Sequence, residues 1–375
     1  VTARWEIRLL AVVVAVLCVV GIASVYGASS LQPSSGGQVG SAFALRQAFG
    51  VVLGGLAATV VARVDYRWWR TAAWPLIGVT AVLLLIPLLP FTGSIAPVIN
   101  GARRWIQIGA ISIQPSELAK LAIVIWVAML AAKKGEQIRT FRRGLVPVLV
   151  VVGPLTLMIF VQPNLSMAIL AALGAGVVLF AAGARIGHVL LLGAASVPLL
   201  YGAIANAQYR LARVLTFLNS GAAPEEALSQ VDQSLIGIGA GQVFGVGFGQ
   251  GQQKLGYLPY AYSDFIFSTI GEEWGFLGVV VLTVLFGTLI WIGARIARAA
   301  ADPFGALLAA GITAMLGLAA LLHIGVNLAV VPATGIPLPF VSYGRSGLLV
   351  ALVAIGILAS IGQTRGRRPS PGDGA

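Results

Sequence analysis

Charge is what this chain has least of. Only 10% of its 375 residues are charged, and acids are scarcest, with 12 Asp and Glu against 24 Lys and Arg. A soluble domain of this size with so little charge would not stay dispersed, so a soluble globular class is excluded. There is one cysteine, Cys18, which rules out an internal disulfide and says nothing about redox compartment. The two histidines, His188 and His323, stand far apart with no metal-ligand spacing, so a zinc site has no support. No G-x-S-x-G elbow is present for acyl transfer. The glycine-rich stretch from Gly237 to Gly251 lacks both the G-x-G-x-x-G spacing and the Gly-Lys-Ser/Thr ending, which excludes a nucleotide loop. No fixed-period repeat marks a solenoid.

Apolar sequence takes the place of charge. Hydrophobic residues make up 58% of the chain, with a mean hydropathy of +0.94. Uncharged stretches of that kind read as bilayer-spanning helices. The 47 Gly and 18 Pro suit such helices better than soluble ones. The reading is therefore an all-α, polytopic membrane protein with about ten transmembrane helices. Spans fall near 7–28, 47–64, 71–90, 117–132, 145–161, 166–183, 187–206, 265–294, 304–331 and 344–362. The first is expected to be a retained span and not a cleaved signal, since no small-residue cleavage site precedes a soluble domain. Residues 1–363 form the transmembrane domain, and 364–375 read as a disordered cytoplasmic tail.

The net charge of +12 sits in short clusters between apolar runs, which argues against nucleic acid as a partner. One set of alternating loops holds Arg4, Arg8, Arg63, Arg67, Arg70, the Lys133–Arg143 cluster, Arg185, Arg295, Arg298 and the Arg365–Arg368 cluster. The other set holds half as many: Arg46, Arg103, Arg104, Lys120, Arg210, Arg213, Lys254 and Arg345. The richer set includes both ends of the chain, so both termini are expected to be cytoplasmic in a multi-pass protein of the cytoplasmic membrane. The longest loop, about 207–264, is then extracytoplasmic. It shows no obvious helix, but its amphipathic stretch from Ala227 to Ile238 is expected to fold against the membrane surface.

Four acids lie at or within the membrane on that outer side: Glu117, Asp264, Glu272 and Glu273. Ionisable groups at such depth are costly and tend to be functional or paired. Asp264 opens a helix, so chemistry alone leaves an N-cap and a functional carboxylate equally open. Glu272 and Glu273 lie deeper on the same helix, and a buried pair with a cation such as Lys120 or Arg345 is favoured. Arg103, Arg104, Arg210, Arg213 and Lys254 form an outer basic group, suited either to lipid headgroups or to clamping an anion. The run from Pro332 to Phe340 breaks a span with three prolines. Irregular backbone at membrane depth marks a wet cavity or a site, and a plain outer loop is the alternative.

Four motifs occur in order along nearly the whole chain. They are Asn100-Gly101-Ala102-Arg103-Arg104-Trp105-Ile106 with Gln114-Pro115-Ser116-Glu117-Leu118-Ala119-Lys120; Tyr257-Leu258-Pro259; Asp264-Phe265-Ile266-Phe267 with Gly271-Glu272-Glu273; and Thr334 through Gly344. In these the chain resembles the SEDS family, the FtsW/RodA/SpoVE proteins of bacterial cell-wall synthesis. The opening and Asp65–Arg70 lean toward the FtsW branch. The resemblance implies a peptidoglycan glycosyltransferase that polymerises lipid II beside a class B penicillin-binding protein and other divisome or elongasome membrane proteins. It places the essential aspartate on Asp264, as general base. Arg103, Arg104, Lys120, Arg210 and Lys254 would bind the substrate diphosphate, with Glu117, Ser342 and Arg345 beside them and Glu272 and Glu273 in support. The pattern fixes no cofactor and is compatible with a divalent cation.

The chain also departs from its relatives. They often carry Glu after Leu-Pro and His two positions on, where this chain has Tyr260 and Tyr262. Gln-Pro-Asp is here Gln162-Pro163-Asn164, and the last motif ends Gly344-Arg345-Ser346-Gly347. A lipid II flippase and a non-catalytic membrane scaffold remain the competing readings.

Overall fold

The computed structural model describes residues 3–29, 40–99, 101–109, 111–218 and 230–364. Apart from Thr364, the expected tail lies outside them, as do Asn100 and residues 227–229 of the amphipathic stretch. Twelve helices run in chain order: α1 (Ala3–Ser29), α2 (Gly40–Arg63), α3 (Trp68–Leu85), α4 (Pro115–Lys134), α5 (Val146–Val161), α6 (Leu165–Ala181), α7 (Ile186–Ala205), α8 (Gln208–Leu218), α9 (Gln230–Ala240), α10 (Ile266–Arg298), α11 (Pro303–Asn327) and α12 (Arg345–Gln363). Among the described residues, nine helices are long and apolar enough to cross a membrane, and α6 is a shorter apolar helix. The molecule is a multi-pass membrane protein. Its only sheet among the described residues is a hairpin of β1 (Ile106–Ile108) and β2 (Ile111–Ile113) between α3 and α4.

Close approach of small residues sets the bundle's packing, as expected where lipid supplies no hydrophobic drive between helices. A side-chain carbon at Gly356 of α12 would lie 2.6 Å from the Ala58 carbonyl of α2. One at Gly311 of α11 would lie 2.5 Å from Val178 of α6 and 2.6 Å from Val124 of α4. Helix α4 is buried along most of its length at the centre of the molecule. By contrast, no residue of α7 is buried, so this helix stands away from the core with Leu190, Val197 and Leu199 outward.

The start of α1 and the end of α12 share one end of the bundle. Arg295 near the end of α10 donates to Glu6 in α1 at 2.6 Å. A side-chain carbon at Gly362 would touch Ile7 at 3.2 Å. At the same end Asp302 caps α11 by accepting from the Gly305 amide at 2.9 Å and also receives the Tyr66 hydroxyl and Arg67.

The described part of the long loop, 207–218 and 230–264, is more ordered than its sequence suggests. It contains α8 and α9, and α9 buries Val231, Ser234 and Gly237 inside the protein instead of lying on the membrane surface. The glycines that follow fill a break in α10 at Gly275, where φ is 69°. Breaking a helix frees backbone groups that lipid cannot satisfy. Here Val246 and Gly247 donate to the Glu272 and Glu273 carbonyls at 3.0 and 3.2 Å, while Phe276 and Leu277 donate to Gln242 and Val243 at 2.8 and 3.2 Å. Contact is so close that a side-chain carbon at Gly241 would lie 1.9 Å from the Gly271 carbonyl. The glycine run is a backbone splint.

Candidate functional site

Asp264 sits at the end of the bundle opposite the chain termini, two residues before α10. Two interactions fix its backbone. Its amide donates to the Tyr260 carbonyl at 3.0 Å, and its carbonyl accepts from Asn327 Nδ2 at 3.3 Å. Asn327 is buried at the end of α11 and ties several elements together. Its Oδ1 accepts from the Ser268 amide at 3.0 Å, its Nδ2 also donates to the His323 carbonyl at 2.8 Å, and its own carbonyl accepts from Ser234 of α9 at 2.9 Å. The first turn of α10 is thereby held without help from the Asp264 side chain. No side-chain cap closes α10, so the N-cap reading of Asp264 loses its physical basis.

Asp264 as a whole is half-buried. Burial against protein pushes its pKa up, and the Ser263 hydroxyl together with the charges of Arg213 and Arg104 pulls the other way. Oδ2 faces Gly335, where φ is 67° and an added side-chain carbon would lie 3.5 Å away. The proline-broken run therefore forms one wall beside the carboxylate. Ser342 ties that wall to the Asp264 loop: its Oγ donates to the Ser263 carbonyl at 2.6 Å and accepts from the Leu338 amide at 2.8 Å. The Tyr343 amide donates to the Tyr262 carbonyl at 3.0 Å, and Ser166 of α6 holds the Thr334 carbonyl at 2.7 Å.

Glu117 and Lys120 lie under the start of α12 as a buried ion pair of 2.9 Å, and Gly347 lies against the Glu117 carboxyl. With Ser342 and the Pro337–Phe340 backbone they line a small cavity of about 30 Å³. Ser342 thus touches both this cavity and the residue preceding Asp264. Lys120 is already neutralised by Glu117, which makes the pair a polar floor more than a free cation. Arg345 is the first residue of α12. Arg103 approaches Gly93 in the loop after α3, and Arg104 stands next to it ahead of β1.

Three expectations need correction. Lys254 does not face the substrate side, because it is 2% exposed and pairs with Glu273 at 3.1 Å while donating to the Gly27 and Gly249 carbonyls. The cation that holds Glu273 is therefore Lys254, whereas Lys120 is committed to Glu117. Glu272 accepts from the Gln252 and Gln253 amides at 2.7 and 3.3 Å, so it serves the same splint as the glycines. Arg210 folds back, donating to the Ala203 carbonyl at 2.9 Å and lying over the Phe160 ring. One turn further along α8 the exposed Arg213, which lay among the outer cations but outside the expected diphosphate set, acts on Asp264 and reaches the Ala333 carbonyl at 3.4 Å. Asn327 carried no sequence signal beyond its place at a helix end. Among the described residues no three His, Cys, Asp or Glu side chains gather into a metal cluster.

Known proteins share this chain's sequence pattern and fold. The family model described as a cell cycle protein, FtsW/RodA/SpoVE, matches residues 7–366. A probable peptidoglycan glycosyltransferase FtsW from Geobacter metallireducens is 38% identical, over 96% of this chain and 94% of the relative. Stage V sporulation protein E of Bacillus subtilis is also 38% identical, over 94% and 96%. Among solved structures, a chain from a peptidoglycan synthase complex that coordinates polymerization and crosslinking superposes with a TM-score of 0.78 at 28% identity, covering 96% of this chain and 98% of that one. The rod shape determining protein RodA of Thermus thermophilus gives 0.69 at 27% identity, over 96% and 97%. With a family model spanning nearly all of it and relatives aligned almost end to end, the chain belongs to the FtsW/RodA/SpoVE family.

Proposed function

We propose that this protein is a peptidoglycan glycosyltransferase that polymerises lipid II at the outer face of the cytoplasmic membrane, with Asp264 as its general base. The observation that carries the reading is the setting of Asp264. Its backbone is clamped by Tyr260 and Asn327, its carboxylate is set against the Gly335 wall, and Arg104 and Arg213 act on it from two other elements. Burial strengthens the carboxylate as a base, and the arginines favour its ionised form.

In the reaction, Asp264 takes the proton from the 4-hydroxyl of the acceptor N-acetylglucosamine. That oxygen attacks the anomeric carbon of the donor N-acetylmuramic acid as the bond to undecaprenyl diphosphate breaks. Attack opposite the α-linked diphosphate yields a β-linkage. Arg103, Arg104 and Arg213 meet the charge that develops on the leaving diphosphate, a role for which guanidinium forks are suited. Glu117, Lys120 and Ser342 line the adjoining cavity, and Arg345 opens the helix beside it. The class B penicillin-binding protein is the expected transpeptidase partner, in keeping with the synthase complex to which the fold is similar.

A flippase would need the same cations along a path but no ionisable base. Polymerisation of lipid II by the purified protein with its partner separates the two. Polymer that disappears on Asp264→Ala supports the transferase, whereas scrambling of labelled lipid II without polymer supports the transporter.

A further inference from the structure

Four aromatic rings cluster around the Asp264 loop. Tyr262 lies 5.8 Å from Tyr343 and 6.5 Å from Tyr260, centroid to centroid. Phe43 of α2 packs beneath, 5.2 Å from Tyr262 and 5.1 Å from Tyr343. The cluster brings together α2, the Asp264 loop and the proline-broken run, and the bond from Tyr343 to Tyr262 fixes its registry. The Phe43 base accounts for a structural role. It does not account for Tyr260, which is 41% exposed at the open edge of the cluster.

The backbone at Tyr260 is also unusual. Its φ is 58°, a left-handed conformation that bulky side chains seldom adopt. The Ser263 and Asp264 amides both donate to its carbonyl at 3.0 Å, so the turn that seats Asp264 is the one that turns this ring outward. Glycine would meet the backbone requirement more easily. A tyrosine at such a position points to use of the side chain. The cluster also borders the carboxylate: burial, then Tyr260, Tyr343 and Asp264 in turn, raise the Tyr262 pKa.

Resting on the glycosyltransferase reading, we propose that Tyr260, backed by Tyr262 and Tyr343, is a platform for a pyranose ring of the acceptor glycan. A pyranose presents a face of C–H groups and a rim of hydroxyls. Tyrosine offers a π-face to the first and a phenolic hydroxyl to the second. A ring stacked on Tyr260 stands beside the base that must reach its hydroxyl, which would reduce the orientational cost of the transfer.

The test compares Tyr260→Gly, Tyr260→Ala, Tyr260→Phe and Tyr260→Trp in the full-length protein with its transpeptidase partner. Tyr260→Gly suits the left-handed backbone, so it separates loss of the ring from loss of the turn. Initial rates are measured against lipid II concentration. Saturation-transfer NMR in nanodiscs reports binding of a soluble GlcNAc–MurNAc oligosaccharide that lacks lipid and diphosphate. Tyr260→Gly and Tyr260→Ala are expected to raise the half-saturating lipid II concentration about fivefold, keep most of the maximal rate and lose saturation transfer. Tyr260→Phe and Tyr260→Trp are expected to retain both. Gly and Ala variants that melt like wild type with unchanged half-saturation and unchanged saturation transfer would overturn the platform while leaving the transferase reading intact. Wild-type protein that binds the oligosaccharide through Tyr260 but makes no polymer would overturn the transferase reading and keep the platform.

Discussion

At the scale of single residues, charge is scarce enough that each carboxylate's surroundings decide what it can do. Burial raises the Asp264 pKa, and Arg104 and Arg213 lower it. A general base works only when ionised, so the acid limb of the rate profile should lie above the usual aspartate range of about 3.9. Removing a nearby positive charge disfavours the ionised form. Arg213→Gln is therefore expected to move that limb to higher pH, and a limb that stays in place would remove Arg213 from the electrostatics of the site. Lys254 and Glu273 behave differently because both are buried. Lys254→Met should cost about 3 kcal/mol by leaving Glu273 unpaired, and Lys254→Met with Glu273→Leu should restore much of it. Thermal unfolding of the purified protein reads both, and equal losses would show that the pair is not coupled. The motif around Asp264 was legible in the chain itself. The partner of Glu273 was not, because Lys254 reaches it only once the loop folds back onto α10.

At the scale of elements, the break in α10 and the glycine run are one feature. Gly241 and Gly245 press so closely on the Gly271 and Glu273 carbonyls that a side chain would displace the splint. Gly241→Ala is expected to destabilise the protein by about 1–3 kcal/mol through overpacking. Wild-type melting of that variant would mean the run does not insert as described. Apolar runs revealed the spans well, since length and hydropathy are properties of each segment alone. The loop from 207 to 264 resisted the same treatment. Helices α8 and α9 are short, and α9 is held by partners distant in sequence, such as Asn327 and Ser268. Arg210 and Arg213 lie within one turn of the same helix, yet only the folded chain shows which of them reaches the Asp264 side.

At the scale of the whole molecule, the two ends of the bundle differ in chemistry. One gathers the start of α1, the end of α12 and the Tyr66–Asp302 and Glu6–Arg295 contacts, and the other gathers Asp264, the hairpin and the proline-broken wall. The proposed orientation, argued from the positive-inside asymmetry, turns the second end outward. In intact cells Tyr257→Cys should react with a membrane-impermeant thiol reagent and Gln137→Cys should not. The reverse pattern would invert the topology and with it the site.

The central claim concerns Asp264 as the base of a polymerising transferase. Its most direct test is the initial rate of glycan formation from lipid II by the purified protein with its partner, comparing wild type with Asp264→Asn, which keeps the shape and removes the base. The expected result is a loss of at least about a hundredfold with the fold intact. Polymer formed by Asp264→Asn at the wild-type rate would contradict it.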